Sequence, residues 1–131
     1  MYLLGKFDVY DREESLGQEL NRYDPNVPED LKALLDKYFF PYWSENHGYT
    51  PQHRWEFAKS VAEALATPDF DFAALFLSND HECFYLPSSW EIVDARLFYT
   101  RAYRLLFDRW SHEWRGILPG LPDPAGAGQA G

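Results

Sequence analysis

The last third of the chain constrains its fold most. Between Ser88 and Arg115, Ile92, Tyr99, Tyr103, Leu106, Phe107, Trp110 and Trp114 share one broad face at helical spacing. Arg101, Arg104 and Arg115 project together on another side, with Leu97 among them. Ser88 and Glu91 have the spacing of a capping box, which predicts a helix from Ser88 to about Arg115. Gly116 is placed to end it. A helix of that length is expected to be the central packing element.

Two further segments carry the same period. Leu31, Leu34, Leu35, Tyr38 and Phe39 line one face after Pro28, with Glu29 and Asp30 at the positive end of the helix dipole and Pro41 ending the run. Thr50 reads as an N-cap with Pro51 at the first helical position, and Trp55, Ala58, Val61, Ala62 and Leu65 mark the next apolar face. The run from Phe72 to Leu86 is too short for periodicity to decide. It reads as two strands turning at Ser78–Asp80, or as a short helix capped by Asp69 followed by one strand. The expected fold is mostly α, three to five helices around the long C-terminal helix, with a short β-hairpin or strand pair from 72–86. The alternative is an α+β domain. One globular domain is expected over 1–118, and the Pro-, Gly- and Ala-rich stretch 119–131 reads as a disordered tail.

No apolar run approaches the ~20 residues needed to cross a bilayer. The N-terminus turns charged too soon for a signal peptide, and a single cysteine does not suggest an oxidising compartment. A cytoplasmic location is expected. The net charge is −9, and all the excess lies before Ser88: −5 over 1–50, −4 over 51–87 and zero beyond. A field of this sign disfavours nucleic acid and anionic membranes and speeds encounter with a basic partner.

The chemistry-bearing residues do not form a motif. Asp80, His81, Glu82 and Cys83 are crowded together, but neighbours on an extended chain point in opposite directions, so the stretch reads as a polar turn with Cys83 entering the core. His47, His53, His81 and His112 come from four regions, and a hydrolytic site from two of them with Glu45 or Glu56 is one alternative. No metal-ligand, nucleophile-elbow or phosphate-loop pattern occurs, so neither cofactor nor metal is expected. Twenty-four aromatic side chains exceed what a small interior holds, and exposed Tyr and Trp are favoured interface anchors.

These features imply an acidic binding protein that neutralises a basic protein partner, most sharply an immunity protein or antitoxin against a toxin such as a nuclease. Glu13, Glu14, Asp24, Asp69, Asp71, Asp80 and Glu82 are the expected acidic contacts, with Tyr42, Trp43 and Tyr49 as anchors. The alternatives are a small metal-dependent or Cys/His hydrolase and a structural subunit of a homo-oligomer. A monomer or homodimer is expected, without nucleic acid or membrane as partner.

Overall fold

The computed structural model describes Phe7, residues 13–76, Pro87 and residues 90–122, the side chains of Glu13 and Glu14 excepted. The protein is mostly helical, and no strand occurs among the described residues. The chain divides into two compact units, each built from stretches far apart in sequence. One joins 42–70 to 99–131, the other 2–41 to 71–98.

In the second of these, α1 (Pro28–Leu34) starts as the sequence predicts. Val27 is extended, Pro28 occupies the first turn, and Glu29 and Asp30 sit where amides are unpaired. Leu31, Leu34, Leu35 and Phe39 are buried along the predicted face. The helix widens to π geometry over Leu35–Phe39 and then tightens to a 3-10 turn over Phe40–Trp43. Pro41 explains the break, since it has no N–H to continue the ladder. Buried Phe7 meets the edge of Tyr38 at 6.2 Å and tilts against Trp90 at 5.4 Å. The Trp90 indole N–H donates to the Leu20 carbonyl at 3.0 Å, fixing the 90–94 segment to this unit.

The 72–86 segment corrects part of the expectation. Ala73–Phe76 is a 3-10 turn where a first strand was one expected outcome. The Asp71 carboxylate, not that of Asp69, accepts the Ala74 N–H at 3.2 Å, so a local side-chain bond replaces a ladder bond. Buried Phe72 lies under the Arg96 guanidinium at 4.8 Å, and Phe76 stands edge-on to Phe98 at 5.0 Å. The rest of the expected hairpin, 77–86, lies outside the described residues.

In the first unit, α2 (Pro51–Leu65) opens with a reciprocal cap. The Thr50 hydroxyl accepts from the His53 N–H, and His53 Nδ1 accepts from the Thr50 N–H at 3.0 Å. Its inward face differs from the predicted one. Arg54, Phe57, Ala58, Val61, Ala62 and Ala64 are buried, whereas Trp55 and Leu65 are only half-buried on the flank.

The long helix, α3 (Ala95–Trp114), is shorter than predicted at its start. The Asp94 carboxylate accepts the Leu97 N–H at 3.0 Å, which makes Asp94 the N-cap and leaves Glu91 and Ile92 ahead of the helix. Ser88 lies outside the described residues. Gly116, at φ 76°, turns the chain after the last helical residue. Tyr99, Ala102, Tyr103, Leu106, Trp110 and Trp114 are all buried, as the apolar stripe requires. At roughly 1.5–3 kcal/mol for each large apolar side chain removed from water, this stripe stabilises the first unit more than any other element.

Candidate functional site

Charge separates the two units sharply. Residues 2–41 and 71–98 hold fourteen acidic and six basic side chains, a net −8. Residues 42–70 and 99–131 hold seven and six, a net −1. The excess charge of the chain is therefore a property of one unit, which we call the acidic unit; the other is the aromatic unit.

The acidic unit carries an open, polar cleft of about 440 Å³, lined by Arg22, Asp24, Asn26, Asp30, Glu91 and Val93 among others. Its floor is organised by the turn that the Asp-Pro-Asn sequence encodes. Asp24 Oδ1 accepts from the Asn26 backbone N–H at 2.9 Å and from its side-chain amide at 3.0 Å. The Asp24 N–H donates to the Asp30 carboxylate at 2.9 Å, tying the turn to α1. Asn26 then bridges to the 91–93 segment: its amide donates to the Glu91 carbonyl, and its Oδ1 accepts the Val93 N–H at 3.0 Å. This holds the exposed Asp24 and Glu91 on one cleft. Val93 is 83% exposed and Val27 37%, so apolar surface flanks the carboxylates.

Beside α1, Lys37 donates to the Glu19 carboxylate, and this contact holds Glu19 below and Lys37 above their ordinary values. Lys32 pairs with Asp36 at 2.6 Å. Two of the six cations of the unit are thereby engaged near α1. Burial, and after it the Glu19 carboxylate, pushes Tyr38 up to about 12. Neither Glu19 nor Lys37 meets the Tyr38 hydroxyl with hydrogen-bond geometry, and that hydroxyl is buried without a partner.

The aromatic unit is organised by Arg54, which sequence reasoning missed. Its guanidinium donates side-on to Glu113, through Nε at 2.8 Å and Nη2 at 3.0 Å. Nη1 donates to the carbonyls of Trp43 at 2.7 Å and Tyr49 at 3.2 Å. Four bonds compensate the burial of the charge and tie the 43–49 loop to α2 and α3. The available signal was its position, three, four and seven residues before Phe57, Ala58 and Val61 on the inward face.

The sequence-nominated residues fall in both units. Asp24 and Asp71 are exposed in the acidic unit, where Asp71 also caps a turn. Glu13 and Glu14 lie in a helical turn of the same unit, their side chains outside the described residues, as are Asp80 and Glu82 entirely. Asp69 is exposed in the aromatic unit. There Tyr42 is 43% exposed beside His47, whereas Trp43 stacks on Tyr49 at 4.5 Å and packs against Phe57 at 4.7 Å. The Trp43 ring is thus held by neighbours of its own unit. His53 is fixed by its capping role and His112 is exposed on α3; His81 and Cys83 lie outside the described residues. Among the described residues, no group of three or more His, Cys, Asp or Glu side chains could hold a metal ion. Nor, among them, is any helix long and apolar enough to cross a membrane.

No protein-family model matches the chain, and neither a curated protein nor a solved structure matches it at a significant level.

Proposed function

We propose that this chain is a binding protein that recognises a basic protein partner through the acidic unit, with the Asp24–Asp30–Glu91 cleft at the centre of the contact. The observation that carries the reading is the concentration of charge: one unit of the chain is −8, the other −1. A compact anionic body steers a cationic partner toward one face, whereas the same charge spread over the whole chain would not orient it. Exposed Val93 and Val27 beside the carboxylates add desolvation on contact, which charge alone does not supply. The sharpest form is an immunity protein or antitoxin blocking a toxin such as a nuclease. Such an enzyme must present Lys and Arg to phosphates, and a carboxylate-lined cleft answers them directly. A cytoplasmic site of action accompanies that form.

Cross-linked capture from native cells, followed by association kinetics with the captured protein, tests the reading. The partner is expected to be basic, and its association rate is expected to fall at least ~10-fold between low salt and several times physiological salt. Replacing Asp24, Asp30 and Glu91 by their amides together is expected to slow association at low salt while leaving the hydrogen-bonding oxygens of the turn in place. A neutral or acidic partner, or a rate indifferent to salt, removes the proposal.

A further inference from the structure

In the aromatic unit, the chain beyond α3 is held against α2 and α3 as far as Pro122. Trp55 on α2 donates its indole N–H to the Pro119 carbonyl at 2.9 Å. Tyr103 on α3 donates its hydroxyl to the Pro122 carbonyl at 2.6 Å. The segment between them reads Pro-Gly-Leu-Pro. In an extended proline-type helix with three residues per turn, carbonyls three apart lie on one face, so two donors on one groove can take both. Aromatic side chains that donate to prolyl carbonyls while their rings bracket the chain are the chemistry by which proteins recognise Pro-x-x-Pro peptides. Here the two hydrogen bonds of that chemistry are made within one molecule.

The fit leaves space. A cavity of about 100 Å³ remains under the segment, lined by Phe107, Trp114, Leu118, Gly120 and Leu121 among others. A Cβ built at Gly120 meets no atom within 4 Å. The occupant therefore supplies the prolines, the carbonyls and the Leu121 side chain, but no side chain at Gly120.

We propose that the groove formed by Trp55, Tyr103, Phe107 and Trp114 is a recognition site for proline-rich peptides, and that Pro119–Pro122 occupies it as a built-in competitor. The ligand is a partner's extended Pro-x-x-Pro segment with an apolar residue at the place of Gly120. The inference stands apart from the acidic-cleft reading, since it concerns the other unit and uses no carboxylate. A tethered occupant acts at an effective concentration on the order of millimolar, so only a better-fitting segment displaces it.

The test uses the full chain and a synthetic peptide of residues 117–124 carrying Gly120→Leu. Binding is read from the titration midpoint of the Trp55 indole N–H resonance, and from that of the Trp114 indole N–H wherever Trp55 is replaced. The peptide is expected to shift that resonance in the wild-type chain and to bind a full-length Pro119→Ala/Pro122→Ala variant at least ~10-fold more tightly, because the internal competitor is weakened. In that background Trp55→Phe, which keeps a ring but loses the donor, is expected to weaken binding at least ~5-fold. Should Trp55→Phe lose the native far-ultraviolet spectrum, Tyr103→Phe takes its place with the same expectation. Absence of any shift at millimolar peptide in both chains overturns the proposal, as does unchanged affinity on loss of the donor. Doubling of the molecular mass with no response to peptide also overturns it, assigning the groove to exchange of tails between two copies.

Discussion

Removing the Glu113 carboxylate should cost far more than loss of a surface ion pair. The Arg54 side chain is 6% exposed and that of Glu113 25%, so the guanidinium is sealed in and its partner only partly so. Loss of one member of a sealed pair costs ~3–5 kcal/mol, because the other is left charged away from water. Two details place Glu113→Ala at the lower end. The bonds from Nη1 to the Trp43 and Tyr49 carbonyls survive, and water can reach the vacated position from the open side. The two lost charge-assisted bonds, at ~1.5 kcal/mol each, give about 3 kcal/mol. Arg54→Met should cost at least as much, since it also strips both loop carbonyls of their donor. The double variant Arg54→Met/Glu113→Leu should lose less than the sum of the single changes, because no charge is left buried and unpaired. Urea unfolding of the four proteins measures this cycle, and a loss of 3 kcal/mol corresponds to a fall in melting temperature of about 10 °C for a chain of this size. The loss should also be nearly independent of salt. A cost below about 1 kcal/mol, or one that vanishes in high salt, would show the pair to be screened like any surface pair and would refute the reasoning.

Tyr38→Phe should leave the fold intact and raise stability at neutral pH by about 1 kcal/mol, since it deletes a buried hydroxyl that has no partner. Because the folded value of Tyr38, about 12, lies above its ordinary value of 10.0, the phenol ionises first in the unfolded chain, so the wild type loses no stability through this ionisation below pH 10 and loses it progressively as pH rises toward 12; the variant should show a flatter stability profile across that window, checked by unfolding at stepped pH. Asn26→Ala should lower the stability of the acidic unit by about 2 kcal/mol, because it removes both hydrogen bonds of the bridge to Glu91 and Val93; chemical denaturation measures the loss, and faster amide exchange at Val93 should accompany it.

Much of the helical framework was legible because it depends on contacts a few residues apart. Pro28 and Pro51 at helix starts, the Thr50 cap, the Leu31–Phe39 stripe and the Gly116 stop are all local, and each appears where its residues predict. The start of α3 failed for an equally local reason: two capping sequences compete within seven residues, and Asp94 captures the Leu97 amide where Ser88 and Glu91 were expected to begin the helix. The inward face of α2 was misjudged because a charged residue is assigned to solvent unless its partners are known, and the acceptors of Arg54 are supplied by Trp43, Tyr49 and Glu113, up to 59 residues away.

By itself the sequence determined that the chain is helical, acidic and rich in aromatic side chains, since composition and short-range spacing contain that information. Only the tertiary structure decided which of those charges share a body. It gathered residues 2–41 with 71–98 into a unit of net −8, a division that no count along the linear chain reveals. It also decided that Trp43 packs inward and that Pro119 and Pro122 meet the donors of Trp55 and Tyr103. Those outcomes depend on contacts between distant segments, and such contacts have no period for a sequence to display.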